Sequence, residues 1–126
     1  VYHHTAPISA FYGLHEGLRL VAEEGLEARW QRHRSNAELF WEGLERIGLK
    51  CHVPIENRLP SLTTVRIPGS ADDLQVRKQL LEKYNIEIAG GFGELKGSVW
   101  RVGFMGHSSR PENVDLLLTA LEAILK

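Results

Sequence analysis

Arginine 101 sits inside the run "SVWRVGFMG", residues 98–106. Val99, Trp100, Val102, Phe104 and Met105 around it predict a strand buried on both faces. A guanidinium cannot shed its charge there, and without a partner it is strongly destabilising. The period of two places Val99, Arg101, Gly103 and Met105 on one face and Trp100, Val102 and Phe104 on the other. A planar cationic fork beside the space left by Gly103 suits a small carboxylate held through two parallel hydrogen bonds. A structural ion pair with Glu87, or with an acid outside the chain, satisfies the same charge.

A second group of polar side chains opens the sequence, in "VYHHTAP". Tyr2 and Thr5 supply hydroxyls just ahead of a predicted helix, whose free N–H groups and positive dipole end favour an anion such as phosphate. Thr5 also reads as a plain helix cap. His3 and His4 are adjacent, so in extended chain they face opposite ways, and no HExxH or Cys/His spacing accompanies them. No metal site is expected.

The glycines of "AGGFGELKG", residues 89–97, lack a GK[ST] ending and lead into a strand rather than a helix. That context excludes a nucleotide loop and leaves a hairpin or a loop close to a ligand. His107, Ser108 and Ser109 are neighbours in sequence, which does not make a triad. His15, His52 and His107 are scattered, and His33 lies on an apolar helical stripe, where a satisfied core histidine is expected.

The elements that hold these residues are predicted from periodicity. "PISAFYGLHEGLRLVAEEG" begins with Pro7 in a first turn and reads as a helix to Gly25. Leu26, Trp30, His33, Ala37, Phe40, Leu44 and Ile47 recur at steps of three and four and mark a second helix closed by Gly48. "KCHV" is a short strand, "NRLP" a turn, and "SLTTVRI" a clearer strand ending at Pro68-Gly69. Ser70 with Asp73 resembles a capping box before a helix marked by Leu74, Leu80, Leu81 and Tyr84. "NIEIA" is then a strand, followed by the glycine loop and the Arg101 strand. Ser109 with Glu112 caps a final helix that turns Val114, Leu117, Leu118, Leu121 and Leu125 inward. The expected fold class is α+β: a small antiparallel or mixed sheet with helices packed on one face, preceded by a long helical segment.

The chain has 126 residues, 43% of them hydrophobic, which suits one domain. With 15 Lys+Arg against 16 Asp+Glu, its net charge of −1 offers no field for nucleic acid. One cysteine, Cys51, excludes an internal disulfide framework and suits a reducing compartment. No run approaches the roughly 18 apolar residues of a membrane span, and no signal-peptide pattern opens the chain. A cytoplasmic location is expected, or a peroxisome or mitochondrion if the source is eukaryotic. The start at Val1, with Met105 the sole methionine, predicts a piece of a longer protein.

"YHHTAP" before a long helix, "EGLEARWQRHR", "RLPSLTTVRIP", "YNIEIAGGFGELKGSVWRVGFMG" and "RPENVDLLLTAL", in that order, resemble the C-terminal part of the alanine-glyoxylate and serine-pyruvate aminotransferases. These are class V pyridoxal-phosphate enzymes of the aspartate-aminotransferase fold, and the likeness spans essentially the whole chain. It implies that residues 1–126 form the C-terminal small domain, including a linking helix at roughly 6–24. It implies further that Arg101 binds the substrate carboxylate, and that Tyr2 and Thr5 reach across a homodimer interface to the phosphate of pyridoxal 5'-phosphate. The cofactor would be bound mainly by an N-terminal domain carrying the Schiff-base lysine. Lys50, Lys78, Lys83, Lys96 and Lys126 do not match that lysine's motif, so this chain alone is expected to be inactive. Alanine or serine as donor and glyoxylate or pyruvate as acceptor are the implied substrates. A non-catalytic α+β module that binds a carboxylate or mediates assembly is the alternative.

Overall fold

The computed structural model of the chain describes residues 4–126. Tyr2 and His3 lie outside the described residues. Two compact units divide the chain, the first ending at Gln31 and the second spanning Arg32–Lys126.

Helix α1, Ile8–Glu24, occupies the first unit, with Pro7 at its N-cap and Gly25 ending it at φ 83°. A positive φ of this kind favours glycine. Thr5 is therefore not the cap, and no side chain caps this end. Proline's fixed φ prepares the first turn without a hydroxyl. On the polar side Arg19 bridges Glu16 and Glu23 at 2.8 Å each. No residue of α1 is buried, and Phe11, Tyr12, Leu14 and Leu18 are all exposed.

Helix α2, Leu26–Arg46, begins in the first unit and continues through the second. Within the second unit its apolar stripe closes as predicted, with Ala37, Phe40 and Leu44 buried. Leu26 and Trp30, assigned to the same stripe, are exposed. Buried Gly43 belongs to the contact with the last helix, where an added Cβ would run into the Leu118 side chain.

Three strands form one sheet in the order β1-β3-β2: β1 is Leu62–Arg66, β2 is Ala89–Gly90 and β3 is Val99–Gly103. Both pairings are antiparallel, with Thr64 opposite Arg101 on one side and Ala89 opposite Arg101 on the other. The predicted "NIEIA" strand shrinks to these two residues. Asn85 ends the preceding helix in the left-handed region at φ 54°, and Ile86 N donates to Leu80 O, so residues 85–88 are still turning away from the helix. A cleft of about 250 Å³ lies between them and Val102–Phe104. "KCHV" contributes a single bridge, Cys51 to Val65.

Helix α3 is Asp73–Tyr84 and helix α4 is Pro111–Leu125. Both predicted caps move by one to two residues. A turn closed by Ala71 N to Pro68 O holds Ser70 before the helix, and the Asp72 carboxylate accepts from Gln75 N at 2.8 Å instead. At α4, Pro111 takes the first helical position and keeps Arg110 extended. Ser109 is buried, and its hydroxyl accepts from Asn36 Nδ2 at 3.1 Å.

The core lies between α2, α3, α4 and one face of the sheet, built from Phe40, Leu44, Leu80, Trp100, Phe104 and Leu121 among others. Phe40 meets Phe104 edge-on at 5.0 Å between ring centroids. Buried Thr63 accepts from Trp41 Nε1 at 2.8 Å, so its hydroxyl is satisfied on this side of the sheet. Among the described residues no helix is long and apolar enough to cross a membrane.

Candidate functional site

Trp100, Val102 and Phe104 face the helices, as the period of two predicts. The other face of β3 is open. Val99 is buried there, but Arg101 and Gly103 are exposed and Met105 is 56% exposed. The expectation of a strand buried on both faces is thus corrected: only one side of this sheet is covered by helices, and Arg101 stands on the other. Desolvation does not oblige the guanidinium to find a charged partner.

What the structure supplies is aim. Arg101 Nε donates to the carbonyl of Gly90 at 2.8 Å. That bond uses the inner donor and leaves both Nη groups free of any carboxylate within ion-pair distance among the described residues. Glu87 does not pair with it. A fork fixed at its base with its two outer nitrogens on an open surface retains the geometry needed for a bidentate carboxylate. The gap expected beside Gly103 is occupied by the Met105 methyl group, which a Cβ at 103 would meet at 2.7 Å.

Behind the strand lies a cluster that sequence reasoning missed. Asp73 Oδ1 accepts from Arg77 Nε at 2.8 Å and from Trp100 Nε1 at 3.0 Å. Hydrogen bonding to Arg77 holds the Asp73 carboxyl below the usual carboxylate range, and the Trp100 bond acts in the same direction. The i,i+4 spacing of Asp73 and Arg77 signals the ion pair. Nothing in the sequence signals that Trp100 joins it.

The glycine loop is a tight connection between β2 and β3. Gly91 packs so closely on the Leu95 carbonyl that any Cβ would collide with backbone, and Gly93 and Gly97 have positive φ. This agrees with the hairpin reading, and Phe92 at the turn is exposed. His33 Nε2 accepts from Gly106 N at 3.0 Å, the satisfied role expected of it. His107 lies 3.0 Å from Arg110 on the surface. Thr5 is exposed and belongs to the first unit, and Tyr2 falls outside the described residues.

The sequence and the fold have close counterparts. The family model for class-V aminotransferases matches residues 1–117. The (S)-ureidoglycine-glyoxylate transaminase of Bacillus subtilis is 46% identical over 123 residues, 98% of this chain and 30% of its own length. The alanine-glyoxylate aminotransferase of Callithrix jacchus is 42% identical over 127 residues, covering 100% of this chain and 31% of that protein. Among solved structures, the alanine-glyoxylate aminotransferase of Nostoc sp. superimposes with a TM-score of 0.95 at 58% identity, over all of this chain and 33% of that one. The chain thus spans about a third of the length of these relatives. With the family model covering most of its residues and an antiparallel sheet and helices that superimpose on a known member, the chain belongs to the class-V aminotransferases.

Proposed function

We propose that residues 1–126 are the C-terminal small domain, with its linking helix at roughly 6–24, of a pyridoxal-phosphate transaminase. In that protein an amino group moves from alanine or serine to glyoxylate or pyruvate. The observation that carries this reading is the Arg101 guanidinium, anchored through Nε on Gly90 O and presenting its outer nitrogens on the open face. Those nitrogens hold the α-carboxylate of the amino or oxo acid, and that grip orients the rest of the substrate. The Nostoc and Callithrix relatives, by name alanine-glyoxylate enzymes, support alanine and glyoxylate, and the name of the Bacillus relative shares glyoxylate alone.

Tyr2 and Thr5 hold the cofactor phosphate of the neighbouring subunit in a homodimer. Thr5 is compatible with this role: it is exposed, and its hydroxyl is not taken up in capping α1. Pyridoxal phosphate, when bound, supplies the electron-withdrawing ring that lets the amino group transfer. The lysine joined to it belongs to a part of the protein beyond this chain.

Replacing Arg101 by lysine keeps the charge and removes the planar fork. In the full-length protein, Arg101→Lys is expected to raise the KM for both amino and oxo acid by about tenfold or more, leaving cofactor affinity within about twofold. Equal loss of substrate and cofactor binding would reject the assignment.

A further inference from the structure

A fork already held in place loses less freedom when Arg101 binds a carboxylate bidentately, and the bond from its Nε to Gly90 O is the one hydrogen bond that its side chain makes among the described residues. The position of the Gly90 carbonyl therefore bears on how the fork is aimed. Gly90 lies in a strand of two residues at the edge of the sheet, where little ladder holds it. Its α-carbon faces the Asp73–Arg77 pair: a Cβ built on Gly90 would lie 3.4 Å from both Asp73 Oδ2 and Arg77 Nη2. Trp100, the register partner of Gly90, donates its indole N–H to the same carboxylate.

One carboxylate thus ties the first turn of α3 to the middle of β3, at the residue that pairs with Gly90 of β2. Trp100 is fully buried, and the side chains of Asp73 and Arg77 are 19% and 29% exposed. The helix start adds to this, since an acid in the first turn of α3 is favoured by the helix dipole. We infer that Asp73 is a positioning residue for substrate binding: with Arg77 and Trp100 it buttresses Gly90, and the Gly90 carbonyl sets the angle at which Arg101 meets the substrate carboxylate.

This inference rests on the assignment of Arg101 to the substrate, so the test separates the two. It is a double-mutant cycle in the full-length protein, read by KM and kcat and by equilibrium titration of pyruvate without an amino donor. Asp73→Ala is expected to weaken pyruvate binding and raise KM by about fivefold to tenfold, within the roughly 10²-fold that misplacing a positioned group costs. Cofactor affinity stays within about twofold.

Combined with Arg101→Lys, Asp73→Ala adds nothing further, because its effect passes through the fork that is already gone. Asp73→Asn, which can still accept from Trp100, recovers part of the loss. If Asp73→Ala does not fold, Arg77→Met tests the same link by removing the guanidinium and keeping the aliphatic stem. Additive effects of the two sites, or an Asp73 or Arg77 variant that binds pyruvate normally while Arg101→Lys does not, would overturn the inference and leave the Arg101 assignment standing. No effect of Arg101→Lys would overturn both.

Discussion

Thr63 and Thr64 are neighbours on β1 and face opposite sides of the sheet. The Thr63 hydroxyl lies in the core and accepts from Trp41 Nε1. Among the described residues the Thr64 hydroxyl is buried without a hydrogen-bond partner, directly across from Arg101. The same contrast runs along β3, where Trp100 is fully buried and Arg101 exposed. One face of this sheet packs into the core, with its buried threonine hydroxyl answered. The other carries the exposed Arg101 and the unanswered Thr64 hydroxyl.

The largest separation between the faces is expected at the adjacent pair Trp100 and Arg101. Trp100→Ala should cost about 3–5 kcal/mol in denaturant unfolding, through a lost aromatic and the cavity it leaves. Arg101→Ala should change stability by about 0.5 kcal/mol or less, as exposed positions do. Comparable losses at the two positions would mean that the open face is structural.

A smaller difference should divide the threonines. Thr63→Val leaves the Trp41 indole N–H unpaired in the core and should cost about 1–3 kcal/mol. Thr64→Val removes a hydroxyl that has no partner and keeps the shape, so it should be neutral or stabilising by up to about 1 kcal/mol. Unfolding midpoints of the two variants, measured side by side, check the order.

The smallest effect concerns acid. Because the folded state holds the Asp73 carboxyl below its usual range, the stability it contributes is fully present above about pH 4, the ordinary value for an aspartate in an unfolded chain. It fades as pH falls through the lower folded value. The stability difference between the protein and Asp73→Asn should therefore be constant from pH 7 to about 5 and shrink below about 4. A difference that instead grows in acid would show that the carboxylate is not the form that the fold favours.

Helices α2 and α4 were legible in the sequence because apolar residues recur along them at steps of three and four. The stripe through Ala37, Phe40 and Leu44, and that through Val114, Leu117, Leu118 and Leu121, both close on the core. The caps were not, because Ser70 and Ser109 have the right chemistry in the wrong place: a turn and a proline decide where each helix begins. Arg101 stood out in the sequence for being charged among apolar residues, and its face was read correctly from alternation. Its exposure was missed, since alternation says which side a residue takes and nothing of what covers that side. The Asp73–Trp100 bond was missed for a similar reason: it joins residues 27 apart along the chain.

The central claim is that Arg101 recognises charge on the substrate's carboxylate. Its most direct test compares the affinity of the full-length protein for pyruvate with that for pyruvamide, which lacks the negative charge, in the unaltered protein and in Arg101→Met. The unaltered protein should prefer the acid by about 10- to 100-fold, the worth of a hydrogen-bonded charge pair, and Arg101→Met should bind the two almost equally. If Arg101→Met keeps the preference, the carboxylate is held elsewhere and the account is wrong.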